Sequence, residues 1–366
     1  MFEGKIIVNA TALDKGGALA ILEQFIETIP SDKYEYIVLV NSGLKLTNSQ
    51  KNIRIIYKRI TSMMERFLWD TFGIKSWLVE NNVNPMATIS LQNTNFRTKA
   101  SIPNFIYFHN CIPFSEAKWN PFNRDERILW FYKHIYPFFV RLYINEKTEV
   151  FVQSNSLRES FAGYFNFPKD RIHVIVPRLR LQSHAKGNIY NLNLDKGQLN
   201  LFYPATPYIY KNHSTIIKAI SLLGRSLQGK TTLHLTCERD ELEYKINYAD
   251  IHFRINFMGK IDYNKVIQMY KEADALLFPS YIETVGLPLI EAASFGMKII
   301  ASDLPYSREA LHNYSGVTFV EYYNISLWSE EITKLFKSKG QRYMPLELET
   351  SNSWQYMFKI IESKIN

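Results

Sequence analysis

The segment ADALLFPSYIETVGLPLIEAASFGMKIIASD, residues 273–303, decides how this chain is expected to fold. A strand-like apolar run (ALLFPS) is followed by a loop (YIETVG), by a helix with Pro288 at its start and Gly296 at its end, and by a second apolar run. Proline suits the first turn of a helix, and glycine suits the residue that ends one. In an open parallel sheet, a strand tip, its loop and the next helix N-terminus form the crevice that binds ligands.

The same alternation of strand and helix patterns runs along the whole chain. The other strand candidates are Lys5–Ala10, Tyr36–Val40, Phe105–Phe108, Val150–Gln153, His173–Val176, Leu199–Tyr203, Thr232–Thr236, Asp274–Pro279 and Lys298–Ala301. A helix is predicted from about Gly17 to Ile29, and the other intervening stretches are long enough for crossover helices. This pattern predicts parallel sheets that are covered on both faces.

A polar stretch at Pro177–Lys196 has little periodicity and is typical of a linker. The chain has 366 residues, which favours two domains at about 100–200 residues each. We therefore expect two Rossmann-like, doubly wound α/β domains, residues 1–180 and 181–366, with the last helix free to pack back on the first domain.

Composition excludes several classes of protein. With 46% hydrophobic, 14% aromatic and 21% charged residues, the chain is neither disordered nor a collagen nor a long coiled coil. Cys111 and Cys237 lie far apart and have neither disulfide-framework nor zinc-site spacing. The start of the chain lacks the basic and apolar regions of a signal peptide, and no stretch approaches 18 uninterrupted apolar residues. We expect a cytoplasmic protein, soluble or peripheral on a membrane.

The positive charge lies mainly in the first half. Residues 1–180 hold 23 Lys and Arg against 16 Asp and Glu, whereas residues 181–366 hold 20 against 19. This asymmetry indicates an anionic partner for the first half, namely nucleic acid, a membrane surface or a phosphorylated substrate, with a solvated basic face as the alternative.

The loop before the predicted helix has the chemistry of a phosphate site. The backbone amides of Thr284, Val285, Gly286 and Leu287 lie at a helix N-terminus, and glycine allows a ligand to approach closely. Glu283 precedes this loop and Glu291 lies one turn into the helix. A carboxylate can accept two hydrogen bonds from a ribose diol, but Glu291 could equally complement the helix dipole and Glu283 could be solvated.

Two sequence stretches carry a family resemblance. FPSYIETVGLPLIEAASFGMKIIASDLP resembles the paired-glutamate donor signature of the retaining GT-B glycosyltransferases of family 4 (glycosyltransferase group 1), and INFMGKIDYNKVIQMYKEADALLFPS resembles the segment before it. The resemblance extends from about Leu201 to Leu311 and is looser in the first half. It implies two Rossmann-like domains facing across a cleft, a nucleotide-sugar donor, retention of anomeric configuration, and no required metal or other cofactor.

The resemblance also implies roles for individual residues. Glu291 would bind the ribose, Glu283 the donor sugar, and Lys211 the diphosphate, while Met258 and Gly259 would meet the nucleobase and the 284–287 amides the phosphate and sugar. Many relatives carry an arginine five residues before the lysine; this chain has Thr206 there, so Lys211 acts with the helix dipole alone or with Lys260 or Arg239.

In the first half, the loop with Gly16 and Gly17 resembles the family's glycine-rich loop, which approaches donor phosphate and acceptor. His109, at a strand end in FIYFHNCIPF, matches a family histidine that faces the donor sugar. A tight turn and a structural histidine are the alternatives for these residues. The mechanism that the resemblance implies is front-face attack by the acceptor, with Glu283 and His109 positioning and stabilising the oxocarbenium-like state.

The stretch KWNPFNRDERILWFYKHIYPFFVRLYINEK, residues 118–147, interleaves aromatic and basic residues, and a second basic stretch holds Lys51, Arg54, Lys58 and Arg59. Such patterns suit an anionic membrane surface or a lipid diphosphate, with a buried aromatic core as the alternative. No nucleic-acid motif accompanies the charge, so no nucleic-acid partner is expected.

These observations combine into one expected function. The chain is expected to be a retaining, hexosyltransferase-like enzyme, peripheral on the inner face of the cell membrane, that acts on a lipid-linked oligosaccharide in bacterial surface-polysaccharide (O-antigen or capsule) assembly. The alternatives are a non-hydrolysing nucleotide-sugar epimerase, against which the paired-glutamate loop argues, and a catalytically idle nucleotide-binding partner subunit, which only Thr206 supports.

Overall fold

The chain divides into two compact units, Met1–Arg178 together with Ser351–Asn366, and Leu179–Thr350. The structure, a computed structural model, describes residues 2–31, 33–46, 50–179, 192–243, 251–348 and 353–365. The division after Arg178 lies two residues before the expected one, and residues 180–191 of the expected linker lie outside the described residues. Residues 351–366, which were counted with 181–366, fall in the first unit, the arrangement left open for the last helix.

Seven parallel strands form the sheet of the first unit. They are β1 (Gly4–Ala10), β2 (Tyr34–Asn41), β3 (Ile53–Lys58), β4 (Ala87–Ser90), β5 (Asn104–Phe108), β6 (Thr148–Val152) and β7 (Ile172–Val174). Their order is β3-β2-β1-β4-β5-β6-β7, and each neighbouring pair is parallel.

Six parallel strands form the sheet of the second unit. They are β8 (Leu199–Tyr203), β9 (Thr231–Leu235), β10 (Arg254–Phe257), β11 (Ala275–Phe278), β12 (Lys298–Ser302) and β13 (Val317–Val320). Their order is β10-β9-β8-β11-β12-β13, with all pairs parallel. This is the strand order of a Rossmann fold, in which the direction of winding reverses between the first and fourth strands.

The connections between strands are largely helical. The helices of the first unit are α1 (Gly16–Thr28), α2 (Met63–Leu68), α3 (Ile74–Glu80), α4 (Arg127–His134), α5 (Tyr136–Arg141), α6 (Asn155–Phe165) and the last helix, α14 (Ser353–Ile365). Those of the second are α7 (His213–Ser221), α8 (Arg225–Gln228), α9 (Asp240–Glu243), α10 (Tyr263–Glu272), α11 (Leu287–Ser294), α12 (Pro305–Ala310) and α13 (Ile325–Leu335). A π-helical turn, Trp69–Gly73, joins α2 to α3.

Alternate residues of β1 pack on opposite faces of the first sheet. Ile6 and Val8 lie in one buried cluster with residues of α1 and α14, whereas Ile7 lies in another with Trp69 and Ile74. Because side chains alternate along a strand, a continuous apolar run such as KIIV supplies both cores. The expected fold class, two doubly wound parallel-sheet Rossmann-like domains, is confirmed.

Candidate functional site

In the second unit, the winding reverses between β8 and β11, so the loops after these two strands lie where an open α/β sheet is expected to bind a ligand. The loop after β8 ends in a 3₁₀ turn, Ile209–Lys211, and the loop after β11 runs to Gly286. The amide of Tyr281 donates a 3.0 Å hydrogen bond to the carbonyl of Tyr210, which ties the two loops together.

Lys211 and Glu283 form an ion pair across these loops. The Lys211 Nζ lies 2.5 Å from Glu283 Oε1, and the two side chains are only 19% and 14% exposed. The hydroxyl of buried Tyr203 donates to the Lys211 carbonyl at 2.7 Å, which fixes the turn that carries the lysine. The structure therefore brings together two residues to which the resemblance gave separate roles, as an ammonium and a carboxylate side by side at the switch point.

The helix α11 begins where the sequence placed it. Gly286 precedes its first residue with φ +74°, a conformation that glycine adopts without strain, and Pro288 is its second residue. A Cβ at Gly286 would lie 3.1 Å from Leu289 Cδ1 and 3.2 Å from the Tyr306 ring. The backbone at 284–287 thus reaches the positive end of α11, an arrangement that suits an anion.

Glu291 is held by two tyrosines of α10. Tyr263 donates its hydroxyl to Oε1 at 2.7 Å and Tyr270 to Oε2 at 3.0 Å, and Glu291 is 8% exposed. Burial, aided by the Glu291 charge, raises the pKa of Tyr270 well above its usual value, so this phenol stays a donor. A carboxylate accepts hydrogen bonds at about four positions and donates none, which is the chemistry that recognises a diol. The sequence analysis missed both tyrosines, although their spacing of seven puts them on one helix face.

Met258 and Gly259 follow β10 at the same edge of the sheet. The Met258 amide donates to the Leu235 carbonyl at 2.9 Å, and Gly259 has φ +62°. A Cβ on Gly259 would overlap the carboxylate of Glu238, which sequence reasoning did not identify. Thr206 is exposed. Lys260 and Arg239, which were suggested to replace the arginine that many relatives carry at this position, are also exposed.

In the first unit, the switch point lies between β1 and β4. The loop after β1 leads to Gly16, which has φ +59° and begins α1, and to Gly17. Both are exposed, and among the described residues a Cβ built on either meets nothing within 4 Å beyond its chain neighbours and the backbone of α1. Gly16, Gly17 and His109 are therefore in this unit, and the other nine predicted site residues are in the second.

His109 follows β5 and lies beside the loop after β4. Its amide donates to Asn93 Oδ1 at 2.6 Å, and its Nε2 lies 3.1 Å from the Leu91 carbonyl. Because a carbonyl only accepts, Nε2 carries the hydrogen. Burial lowers the pKa of His109 to about 4, so the ring is neutral at neutral pH and its Nδ1 is an acceptor. Such a ring can receive a hydroxyl hydrogen bond but does not supply a charge.

A buried amide and carboxyl network lies under this region. Asp70, in the π-helical turn, accepts from Asn9 Nδ2 at 2.8 Å and from Gln92 Nε2 at 3.1 and 3.2 Å. Gln92 in turn accepts from the Ala12 amide at 3.1 Å. The ends of β1 and β4 are thereby joined to the π-helical turn, a contact that no sequence pattern signalled.

The aromatic and basic segment 118–147 is divided between core and surface. Trp119 and Tyr136 are buried, whereas Phe122 is 95% exposed and Phe138 is also exposed. Lys133 donates to the Ala117 carbonyl at 2.7 Å. In the described part of the chain, no helix is both long enough and apolar enough to cross a membrane.

Known proteins resemble this chain in sequence and in fold. Residues 188–349, nearly all of the second unit, match the model of the family described as glycosyl transferases group 1. The O-antigen chain mannosyltransferase RfbU of Salmonella typhimurium is 23% identical over 208 residues, which cover 56% of this chain and 55% of the relative. The chain spans about half the length of the curated relatives it matches.

Two solved structures share the fold. WaaG, a glycosyltransferase involved in lipopolysaccharide biosynthesis, superposes with a TM-score of 0.67 at 14% identity, over 91% of this chain and 90% of that one. The Anabaena protein HepE, solved in complex with UDP and glucose, superposes with a TM-score of 0.62 at 12% identity, over 99% and 100%. At these identities the likeness shows the fold, which is that of the GT-B glycosyltransferases.

Proposed function

We propose that this chain is a retaining glycosyltransferase of family 4 that moves a hexose from a nucleotide-sugar donor to a lipid-linked saccharide. The observation that carries the proposal is the Lys211–Glu283 ion pair at the switch point of the group 1 unit. Glu291 on the adjoining α11, which accepts hydrogen bonds from two tyrosines of α10, supports it. A cation, a diol acceptor and helix-terminal amides are the groups that a nucleoside diphosphate sugar requires.

Each group has a role in the proposed complex. Glu291 accepts from the ribose diol, Met258 and Gly259 present backbone to the base, and Lys211 with the 284–287 amides binds the diphosphate. When the sugar–phosphate bond breaks, negative charge grows on the leaving diphosphate, and a cation already in place stabilises it. HepE, the fold relative, was solved with UDP and glucose, which supports a nucleotide-sugar donor.

The chemical step needs no covalent protein intermediate. The acceptor oxygen bonds to the anomeric carbon on the face from which the diphosphate leaves, and the acceptor proton passes to the departing phosphate oxygen. Glu283 accepts from donor-sugar hydroxyls, neutral His109 accepts from another through Nδ1, and Gly16 and Gly17 let the ligands approach. These side chains position the oxocarbenium-like state rather than attack it. We further propose that no divalent metal is required; turnover should survive EDTA, and loss that Mg²⁺ restores would refute this.

The acceptor and the membrane belong to the same proposal. The relative RfbU is an O-antigen chain mannosyltransferase, which supports a lipid-linked saccharide acceptor in bacterial surface-polysaccharide assembly. An exposed apolar surface supports peripheral binding to the anionic inner face of the cell membrane. Its members lie on α2, on the π-helical turn, on α5 and at the residue before α5: they are Met63, Met64, Leu68, Phe72, Ile135 and Phe138. Phe67 on α2 contacts Phe139 on α5, with ring centroids 5.4 Å apart.

Basic groups accompany that apolar surface. Phe72 and Val79 line a shallow surface depression together with Lys75, Arg97 and one acidic residue, Glu80, so cations outnumber anions there by two to one. Apolar side chains that enter the acyl boundary beside cations that meet anionic headgroups are the two components of interfacial binding.

Thermal stabilisation tests the proposed donor site. Purified protein is melted with UDP, GDP, dTDP, ADP or CMP, in wild type, Glu291→Ala and the exposed control Glu330→Ala. A ligand at 100 times its dissociation constant adds about 2.7 kcal/mol, a visible shift. We expect one nucleotide to stabilise wild type and the control but not Glu291→Ala. Equal shifts in all three would remove Glu291 from the site.

Turnover separates the two alternatives. Conversion of the donor without any acceptor would indicate an epimerase. Nucleotide binding without conversion in the presence of lipid-linked acceptors would indicate an idle subunit.

A further inference from the structure

A cavity of about 250 Å³ opens at the switch point of the first unit. The polar side chains that line it include Arg66, Gln92, His109, Asn110, Tyr132 and Tyr136, and none of its lining residues is acidic. Ligand sites for whole small molecules usually measure about 300–1,000 Å³, so this cavity fits a single group of a larger ligand.

Arg66 is the only charged residue among those lining the cavity. Its Nη2 donates to the Gln92 carbonyl at 3.1 Å, and the Tyr136 hydroxyl donates to the same carbonyl at 3.3 Å. No Asp or Glu of the described residues forms an ion pair with Arg66. A guanidinium has five N–H donors and cannot lose its charge in a protein. One N–H of Arg66 donates to the Gln92 carbonyl, so four further N–H groups can donate to a ligand.

The surroundings of Arg66 cancel this charge only in part. Burial raises the pKa of nearby Asp70 to about 7, so this carboxyl is only partly ionised at neutral pH, and its oxygens already accept from Asn9 and Gln92. Burial also keeps His109 neutral, and the positive charge of Arg66 lowers the pKa of that histidine further. The cavity thus presents a fixed cation, a neutral imidazole acceptor and two phenols.

We propose that this cavity, the Arg66 cavity, binds an anionic group of the acceptor, a phosphate or a carboxylate, through the guanidinium of Arg66. Guanidinium groups pair with either anion through two parallel hydrogen bonds. Tyr132 and Tyr136 offer apolar faces and hydroxyls to the sugar or linker that bears the anion. The proposal rests on the proposed function, because it identifies the bound group as part of the sugar acceptor.

The test uses small probes on the full chain. Thermal stabilisation is titrated with inorganic phosphate, with glucuronate and with neutral glucose, for wild type, Arg66→Gln, Lys211→Gln and the exposed control Arg225→Gln. Losing a charge-assisted hydrogen bond of about 1.5–3 kcal/mol corresponds to roughly ten-fold or greater weakening. We expect phosphate or glucuronate, but not glucose, to stabilise wild type, Lys211→Gln and Arg225→Gln, with at least ten-fold weaker binding in Arg66→Gln.

The two anions distinguish the source of the group. Stabilisation by phosphate indicates a lipid phosphate or diphosphate, and stabilisation by glucuronate indicates an acidic sugar. If neither stabilises wild type, or if Arg66→Gln responds like wild type, the proposal is overturned. It is equally overturned if the response disappears only in Lys211→Gln, since the anion then binds in the second unit.

Arg66→Lys tests whether the loss of anion binding in Arg66→Gln comes from a folding defect. It keeps the charge but loses the fork of donors, so we expect a native melting temperature with weaker anion binding. Nucleotide stabilisation provides the link to the proposed function: Arg66→Gln should retain it. Wild type that responds to anions through Arg66 but to no nucleotide would keep the anion site and refute the glycosyltransferase proposal.

Discussion

The ammonium of Lys211 lies 2.5 Å from the carboxylate of Glu283, at the point where the second sheet reverses its winding. Neither side chain is well solvated, so each charge depends on the other for compensation. In the proposed donor complex, a diphosphate would share the lysine with the glutamate and approach a like charge. Under that proposal, the pair balances the stability of the unliganded site against affinity for the donor.

Replacing each partner should consequently have opposite effects on nucleotide binding. Lys211→Met is expected to weaken nucleoside diphosphate binding ten-fold or more, because a charge-assisted contact of about 1.5–3 kcal/mol is lost. Glu283→Gln is expected to bind the same nucleotide at least as tightly as wild type while losing transfer activity, because the charged contact to the donor sugar is lost. Isothermal titration measures the affinities, and equal weakening by both replacements would contradict the competition.

The tyrosines that hold Glu291 should matter unequally. Tyr270 is completely buried, whereas Tyr263 is half-buried. Water can therefore take the place of the Tyr263 hydroxyl as a donor to Glu291, but not that of the Tyr270 hydroxyl. Tyr270→Phe is expected to lower the free energy of unfolding by about 1.5–3 kcal/mol, and Tyr263→Phe by less. Both should weaken nucleotide binding if the orientation of the carboxylate matters. The exposed Tyr356→Phe is the control, and denaturant melts give the comparison; a loss no larger for Tyr270→Phe than for this control would refute the role.

Gly286 should tolerate no side chain. Gly286→Ala would place alanine in a left-handed backbone conformation, which costs roughly 1–2 kcal/mol of folding free energy. Its Cβ would also lie in tight contact with Leu289 and Tyr306. We expect lower stability and weaker nucleotide binding, since the amides before α11 shift. Gly163→Ala is the matched control: Gly163 lies in α6, and a Cβ added there would enter open space, so alanine should stabilise that helix. Unchanged melting and binding in Gly286→Ala would mean that the loop relaxes freely.

Sequence patterning predicted the strands that lie inside the sheets better than those at their edges. Three of the four missed strands, β3, β10 and β13, are edge strands, and β10 alternates exposed and half-buried residues. An edge strand needs only one apolar face, so RINF lacks the continuous run by which KIIV is recognised. The fourth, β4, is buried but reads ATIS, with polar residues that sequence cannot place inside.

The site was predictable where local chain geometry makes it. Gly286 and Pro288 are residues typical of a helix start, so they predict both the position of α11 and the loop before it. The Lys211–Glu283 pair, the tyrosines on Glu291 and the Asp70 network join residues 72, 28, 21 and 61 positions apart. Such contacts depend on how strands and helices assemble, which no local pattern records.

Membrane binding should depend on the exposed apolar surface of α2, α5 and the π-helical turn. Wild type is expected to sediment with anionic liposomes at low salt and less at high salt, because screening weakens the attraction of Lys75 and Arg97 to the headgroups. Phe72→Ser/Phe138→Ser should reduce sedimentation several-fold through lost apolar burial. Tyr323→Ser removes an equally exposed aromatic from the second unit and should change nothing. Sedimentation of the double variant at the wild-type level would exclude this surface.

Asp70 should give the protein a distinctive pH dependence. Burial raises the pKa of this carboxyl from its ordinary 3.8 to about 7, against the lowering effect of Arg66. Between these values the folded protein holds a proton that the unfolded chain has lost. The free energy of unfolding contributed by Asp70 is therefore complete below pH 4 and falls as pH rises to about 7, with a limiting slope of about 1.4 kcal/mol per pH unit.

Asp70→Asn isolates that contribution. The pKa of His109 is lowered to about 4, so its contribution to stability depends on pH with the opposite sign: it is present above pH 6.5 and is lost as pH falls. Because wild type and Asp70→Asn both contain His109, this contribution cancels in their difference. The difference in unfolding free energy, wild type minus Asp70→Asn, should thus decrease from pH 5 to pH 7 and level off above. Denaturant melts across this range measure it, with the exposed Asp125→Asn as control. A difference that does not change with pH would mean that Asp70 stays ionised in the folded protein. Hydrogen bonds from the amides of Asn9 and Gln92 would then stabilise the carboxylate, and it would not take up a proton.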